Sequence, residues 1–366
     1  MRGGRSNVSA NPGRFERKAA EDSRFTFTCN ATCSFNHTIR RGLIFVLLFT
    51  LLSACAAEKL RLVRPMEYAG MRDASAAVVV SSNLFIVADD ENNILRLYSA
   101  DKAGPPLKEF DLNAFLEVTG KSIEADLEGA AKIGNRAFWI GSHGRNKDGK
   151  QRPNRSRLFA TDIKINDGEV TLTPVGKPCK HLLDELLRDS RFAELHLAEA
   201  STRAPKEEGA LNIEGLAATP QGHLLIGFRN PVRGGQALII PLLNPNEVIE
   251  GKPPRFDLPV RLGLDGLGIR DIALFEGTYF IIAGPWHSGD KFEFYHWAGG
   301  NAEPKRFIVK HVGDYHPEAI VIYPQKGFHE IQILSDDGNR PIDGIPGKEL
   351  GDSRPNTFRS FLLLEE

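Results

Sequence analysis

The sequence is poor in cysteine and has no long hydrophobic run. Its 366 residues include 4 cysteines, and Cys29 and Cys33 lie in a polar, basic N-terminal segment. The longest apolar run near the N-terminus, Leu43 to Ala54, has 12 residues, whereas a transmembrane helix needs about 20. Because only Cys179 follows Cys55, the chain after Cys55 cannot build a disulfide framework.

The short apolar run has the features of an export signal. Arg40 and Arg41 precede it, and it ends in Leu-Ser-Ala-Cys at residues 52–55, which resembles the bacterial lipobox. We therefore expect residues 1–54 to be a mis-extended N-terminus plus a lipoprotein signal peptide, and residues 55–366 to be the mature domain. Lipid on Cys55 would hold the exported protein in the bacterial cell envelope, at the outer membrane if the organism is Gram-negative.

The mature chain carries no excess of positive charge. Without residues 1–54 it has 38 Lys and Arg against 44 Asp and Glu, a formal charge of −6. This balance argues against nucleic acid as the main partner. The serine-hydrolase motif G-x-S-x-G and the zinc motif H-E-x-x-H are also missing. We expect a monomer.

What the chain does have is a hairpin repeated five times. The copies read DASAAVVVSSNLFIVADD from Asp73, DLEGAAKIGNRAFWIGSH from Asp126, NIEGLAATPQGHLLIGFR from Asn212, IRDIALFEGTYFIIAGPW from Ile269 and HPEAIVIYPQKGFHEIQILSDD from His316. Aligned on the third residue, they form a mostly acidic column spaced by 53, 86, 57 and 47 residues. The column consists of Ser75, Glu128, Glu214, Asp271 and Glu318.

Further strand-like runs after the hairpins bring each repeat to four strands, which is typical of a β-propeller blade. We predict an all-β fold with a single β-propeller of five blades. Six blades is the alternative if the 86-residue interval hides a degenerate blade. That interval should contain an inserted helix near 180–197, and residues 59–65 should close the ring beside residues 359–366.

Propeller topology brings the start of each first strand and the end of each second strand to one channel mouth. Four carboxylates there would repel by about 2 kcal/mol per pair at roughly 8 Å. Either arginines neutralise them structurally or a cation binds, and Ca²⁺ prefers such oxygen ligands. The candidate metal ligands are Glu128, Glu214, Asp271 and Glu318, with Asp73, Asp89, Asp90 and Asp126 expected on the same face.

An anionic ligand is the expected partner of the basic residues on this face. Arginine forks match phosphate and carboxylate groups, and the loop 141–159 is rich in them. The candidate ligand-binding residues are Arg145, Arg152, Arg229, Asn230, Arg270 and His287. Glu128 and His143 are candidate catalytic residues, as a general base or an activator of water. A purely structural role of these ionic residues stays open.

The motifs DLEGAA, WIGSHGRNKDGKQRPNRSRLFAT, NIEGLAATPQGHLLIGFRNP, GLGIRDIA and HPEAIVIYP make the chain resemble a bacterial family of unknown function, domain-of-unknown-function family 3616. More distantly, the E-G-[AL]-A hairpins look like those of esterase-like phytase propellers, which implies calcium and phosphate esters at this face. Fold analogy alone does not assign a function.

Three functions therefore remain. The favoured one is a lipid-anchored envelope propeller that binds an anionic small molecule or envelope component, with or without calcium. The alternatives are a hydrolase of phosphate or carboxylate esters at the same face and a protein-interaction scaffold.

Overall fold

The computed structural model describes residues 58–310, 312–345 and 355–366. Its strands form five sheets, which are the five blades of a β-propeller. The predicted fold class and blade number are confirmed, and the long interval between the second and third repeats holds no sixth blade. The lipobox and Cys55 lie outside the described residues.

Four blades are four-stranded antiparallel sheets in chain order, and the fifth also takes in the first strand, β1 (Lys59–Ala69). Blade one contains β2 (Ala74–Val79), β3 (Leu84–Asp89), β4 (Ile94–Ser99) and β5 (Lys108–Asp111). Blade two contains β6 (Leu127–Ile133), β7 (Arg136–Gly141), β8 (Leu158–Asn166) and β9 (Glu169–Cys179). Blade three contains β10 (Asn212–Ala218), β11 (Leu224–Arg233), β12 (Gln236–Leu242) and β13 (Val260–Gly263). Blade four contains β14 (Gly268–Phe275), β15 (Thr278–Gly284), β16 (Glu293–Trp297) and β17 (Lys305–Arg306).

Blade five closes the ring with both ends of the described chain. Its order is β19 (Pro317–Ile322), β20 (Glu330–Ser335), β21 (Thr357–Glu365), β1, then β18 (Ile308–Val309). β1 pairs antiparallel with β21, from Leu60 opposite Glu365 to Ala69 opposite Thr357. The predicted closure is confirmed, and it gives β21 a partner on both sides, so that this strand has no open edge.

The core lies between neighbouring blades because the first two strands of each blade are apolar on both faces. Apolar clusters fill the space between adjacent sheets, for example around Trp139 and around Trp297. A tight approach of backbone occurs at Gly141, where an added Cβ would lie 2.3 Å from the carbonyl oxygen of Arg155. The loop after β7 is thus held directly against the end of that strand.

The inserted helix is present between blades two and three. It consists of α1 (Leu182–Arg188) and, after a 3₁₀ turn, α2 (Leu197–Ala200). Leu182 and Leu186 pack into the core, whereas Leu187 is 36% exposed, so the helix buries a narrow apolar face. No helix among the described residues is long and apolar enough to cross a membrane.

Candidate metal-binding site at the channel mouth

A β-bulge near the start of each inner strand builds the channel mouth. In every blade one residue falls between two paired neighbours and is left out of the ladder, which re-aims its side chain. These five bulge residues, here called the bulge ring, are Ser75, Glu128, Glu214, Arg270 and Glu318. The sequence alignment put Asp271 in the fourth position, and the strand register corrects this to Arg270.

Asp271 has a different environment, because it stays in the ladder opposite Ile282. Its Oδ1 accepts the backbone N–H of Ile272 and its Oδ2 that of Ile320, both at 2.8 Å. Burial raises the pKa of this carboxyl to about 8. Since both oxygens are occupied and Ile320 belongs to β19, Asp271 links blade four to blade five and is poorly placed to be the expected metal ligand.

Arg270 joins two acids of the bulge ring. Its Nε donates to Glu318 Oε2 at 2.6 Å and lies 3.0 Å from Glu214 Oε2, and its Nη2 also contacts Glu318. The side chain is buried, and burial, followed by the neighbouring positive charge of Arg229, lowers its pKa to about 10. One ring arginine thus neutralises charge that the sequence alone left unbalanced.

Arg229, in β11, completes the same network. Its Nη1 donates to Glu214 Oε1 at 2.8 Å, and its Nε donates to the carbonyl of Pro285 at 3.0 Å. Asn212 Nδ2 donates to Glu214 Oε1 at 2.6 Å. We call Glu214, Arg229, Arg270 and Glu318 the paired half. This set carries two negative and two positive charges, and the hydrogen bonds within it already occupy its guanidinium groups.

The opposite side of the mouth is acidic. Two carboxylate triads there have ligand atoms within 4.8 Å of one another, and both triads include Asp90. These triads can hold a metal ion. We call their members the acidic half: Asp73, Asp89, Asp90, Asp126 and Glu128.

Asp90 is the shared and least satisfied member of the acidic half. Its Oδ1 is buried and has no hydrogen-bond partner in the described part of the chain. Burial, then the negative charges of Glu128 and Asp73, raise the pKa of Asp90 well above its usual range. Burial and neighbouring carboxylates, led by Asp336, also raise the pKa of Asp73 to about 8. Too little positive charge reaches these groups to keep them ionised without cost.

Glu128 and Asp126 form the other edge of the acidic half. Burial, then Glu214 and Asp126, raise the pKa of Glu128 well above its usual range. Burial also raises the pKa of Asp126 to about 6, although Arg155 Nη1 donates to its Oδ2 at 2.8 Å. Arg155 also binds Glu124 at 2.5 Å. The sequence did not identify Arg155 as the partner of Asp126, because nothing in the basic loop distinguishes this arginine from its neighbours.

His143 makes no hydrogen bond to the acidic half within the described ranges, although the backbone N–H of the preceding Ser142 donates to the carbonyl of Asp126 at 2.9 Å. Its imidazole is buried, its Nδ1 donates to the carbonyl of Gly141 at 2.9 Å, and its Nε2 has no partner among the described residues. Burial lowers its pKa to about 4, and its charged neighbours are Arg157 and Asp184. No hydrogen bond joins the two candidate catalytic residues, Glu128 and His143, in the part of the chain that the structure describes.

The remaining candidate ligand residues have mixed environments. Arg145 donates to the carbonyls of Ser201 and Gly149, and Asn230 donates to those of Pro205 and Glu207, so both hold loops together. His287 is exposed, and its carbonyl accepts from Arg229 at 3.3 Å. Among the described residues, the guanidinium of Arg152 donates only to the carbonyl of Gln151, at 3.4 Å. Its guanidinium is therefore the one from this set least used by the fold.

Fold and site together define a five-bladed propeller with a charged channel mouth, divided into a paired half and an acidic half. Residues 73–166 and 170–327 match the model of the family described as Protein of unknown function (DUF3616). The chain belongs to this family, as its motifs predicted. No curated protein sequence matches the chain.

The solved structures to which this chain is similar share little sequence with it. Glutaminyl cyclase of Myxococcus xanthus is 12% identical, with a TM-score of 0.43 over 84% of this chain and 100% of that one. The PQQ-bound aldose sugar dehydrogenase of Streptomyces coelicolor is 12% identical, with a TM-score of 0.44 over 85% and 99%. A putative glucose dehydrogenase of Thermus thermophilus is 15% identical, with a TM-score of 0.42 over 83% and 100%. None of these likenesses assigns an activity to this chain.

Proposed function

We propose that the protein is an envelope β-propeller that binds a divalent cation, Ca²⁺, in the acidic half and holds an anionic ligand through that cation. The observation that supports this most directly is Asp90 Oδ1, a buried carboxylate oxygen without a partner among the described residues, shared by both acidic triads. A buried polar atom left unpaired costs about 1–3 kcal/mol, and more if it is charged. A bound cation removes that cost.

Ligand chemistry favours calcium over softer metals. Every candidate ligand in the two triads is a carboxylate, and Ca²⁺ takes six to eight oxygen ligands in flexible geometry. Bound at Asp90, a divalent charge would offset the mutual repulsion that raises the pKa of Asp90, Glu128 and Asp73. The proposed ligand set therefore replaces Glu214, Asp271 and Glu318, which the fold already uses, and retains Glu128.

The anionic ligand is proposed to complete the cation's coordination shell, because the arginines of the paired half are occupied. Arg229 and Arg270 donate to Glu214, Glu318 and backbone carbonyls. They therefore contribute positive charge near the site, but their guanidinium groups are not free to bind the ligand. On this proposal ligand binding requires the cation.

Thermal unfolding of the domain with and without Ca²⁺ tests the cation site. A ligand that binds only the folded state stabilises it by about 2.7 kcal/mol at 100 times its Kd. We expect the wild type to melt higher with Ca²⁺ after chelator treatment, and Asp90→Asn to lose this shift. Asp290→Asn is the matched control, because Asp290 is exposed and lies outside the two triads. A wild type that is indifferent to Ca²⁺, or an undiminished shift in Asp90→Asn, contradicts the proposal.

Membrane anchoring through Cys55 is proposed from the signal-like segment before it. The lipid would keep the propeller at the envelope surface, where an envelope component or an anionic small molecule is the partner. Cys55→Ser should move the protein from the membrane fraction to the soluble fraction of the producing cell. Unchanged partitioning of the variant would refute the anchor.

An esterase activity is the second candidate, since Glu128 is only partly buried and lies at the edge of a possible metal. The carboxylates of the triads would hold the metal, which would supply an activated water for hydrolysis of a phosphate ester to phosphate and its alcohol, and Glu128 would accept the proton of that water. Calcium-dependent turnover of a phosphomonoester that disappears in Glu128→Gln supports this candidate. If the protein binds calcium but does not turn over the ester, the binding function is supported. If it does neither, a structural scaffold is supported.

A further inference from the structure

A cavity whose lining shares no residue with the two acidic triads lies among the loops before and within blade two. It has a volume of about 330 Å³ and lies between the loop that precedes β6 and the loop that joins β7 to β8. The residues that line it are Thr119, Lys121, Ser122, Gln151, Arg152, Pro153 and Asn154. This volume is near the lower end of the range that is common for small-molecule binding pockets.

The chemistry of this cavity is cationic. Lys121 and Arg152 are its charged lining residues, and among the described residues none that lines it is acidic. Arg152 Nε is buried without a hydrogen-bond partner in the described ranges, and the only bond found there for its Nη1 is a long one, to Gln151. The guanidinium of Arg152 thus has N–H donors without acceptors, and a ligand with several oxygens would supply those acceptors.

The cavity is held in shape before any ligand arrives. Asn154 is buried, its Nδ2 donates to the carbonyls of Thr119 and Ser122 at 2.8 and 2.7 Å, and its Oδ1 accepts the N–H of Thr119. One side chain thus joins the two loops that carry the cations. Such preorganisation lowers the entropic cost of binding.

We propose that this cavity is a binding site for the phosphate group of a small soluble phosphomonoester. A guanidinium such as that of Arg152 matches two phosphate oxygens, and Lys121 supplies a second positive charge in the lining, which also includes Thr119 and Ser122. The site is distinct from the acidic half and does not need the cation. The same loop carries Arg155, which binds Asp126, so the two sites are connected through one short segment.

Calorimetric titration of the domain with inorganic phosphate and with glycerol phosphate, in chelator and at constant ionic strength, tests this proposal. We expect saturable binding to the wild type, weakened about tenfold or more in Arg152→Gln and in Lys121→Gln, because each removes a charge-assisted contact. Lys147→Gln is the matched control, since Lys147 is an exposed lysine of the same loop that does not line the cavity.

The outcomes separate this site from the proposed cation function. Absence of saturable phosphate binding, or equal binding by wild type and Arg152→Gln, overturns the phosphate site whatever calcium does. Phosphate binding that needs Ca²⁺ and is lost in Asp90→Asn also overturns it, because the anion would then be held at the acidic half. Cavity binding in chelator supports it, even if the calcium test fails. A melt of each variant shows that it is folded.

Discussion

Replacing Arg270 by Met tests whether the paired half stabilises the ring. Methionine keeps most of the stem, which packs at Gly284, where an added Cβ would lie 2.7 Å from Arg270 Cγ, but it removes the charge that faces Glu214 and Glu318. Glu214 keeps Arg229 and Asn212, whereas Glu318 loses the only ion pair found for it among the described residues. Removing one partner of a buried ion pair costs about 3–5 kcal/mol.

Urea unfolding of Arg270→Met and of a matched exposed variant measures this cost. Arg306 pairs with Asp265 and Glu293 at 3.4 and 3.5 Å and is about half exposed, so Arg306→Met should cost less than about 1 kcal/mol. Adding Glu318→Gln to Arg270→Met should restore at least about 1 kcal/mol, because it neutralises the orphaned carboxylate. A loss no larger than that of Arg306→Met, or no recovery in the double variant, would refute this account of the ring.

Buried groups give three further predictions. His143 has a pKa of about 4 when folded against roughly 6.5 unfolded, so the stability it contributes is complete above pH 6.5 and is lost as the pH falls towards 4. The loss is at most about 3 kcal/mol, and His143→Gln should flatten this part of a stability–pH profile. Asp271 has a folded pKa of about 8, above its unfolded value, so its contribution falls as the pH rises through 8. Asp271→Asn should remove that decline in thermal unfolding, at a cost of about 1–3 kcal/mol for an unpaired amide such as that of Ile320. Gly141→Ala should cost about 1–3 kcal/mol in urea unfolding, because its Cβ would meet the carbonyl of Arg155. A pH profile of His143→Gln that matches wild type, or changes below about 0.5 kcal/mol for the other two, would count against these assignments.

The blades and their closure were predictable because they depend on local pattern. Runs such as LFIVAD at β3 and TYFIIAG at β15 are continuous apolar strands bounded by turns, and each repeat supplies its own hairpin. The closing segments were recognisable for the same reason, since β1 and β21 need partners to satisfy their backbone. Repetition along the chain thus determined the propeller and brought the acidic residues at the starts of the hairpins to one mouth.

The partners of those charges were decided only in three dimensions. Arg270 and Asp271 are adjacent, and the spacing of the repeats fits either one equally well; the bulge in β14 chooses Arg270 because packing against β15 sets the register. Arg155 reaches Asp126 across 29 residues of sequence, and no local pattern encodes that pair. The sequence by itself determined that a ring of acids needs neutralising. The tertiary structure decided that arginines neutralise the acids of one half of the mouth and leave Asp90 and Glu128, in the other half, without such partners. The reason is that strand register and side-chain contacts between distant strands are non-local.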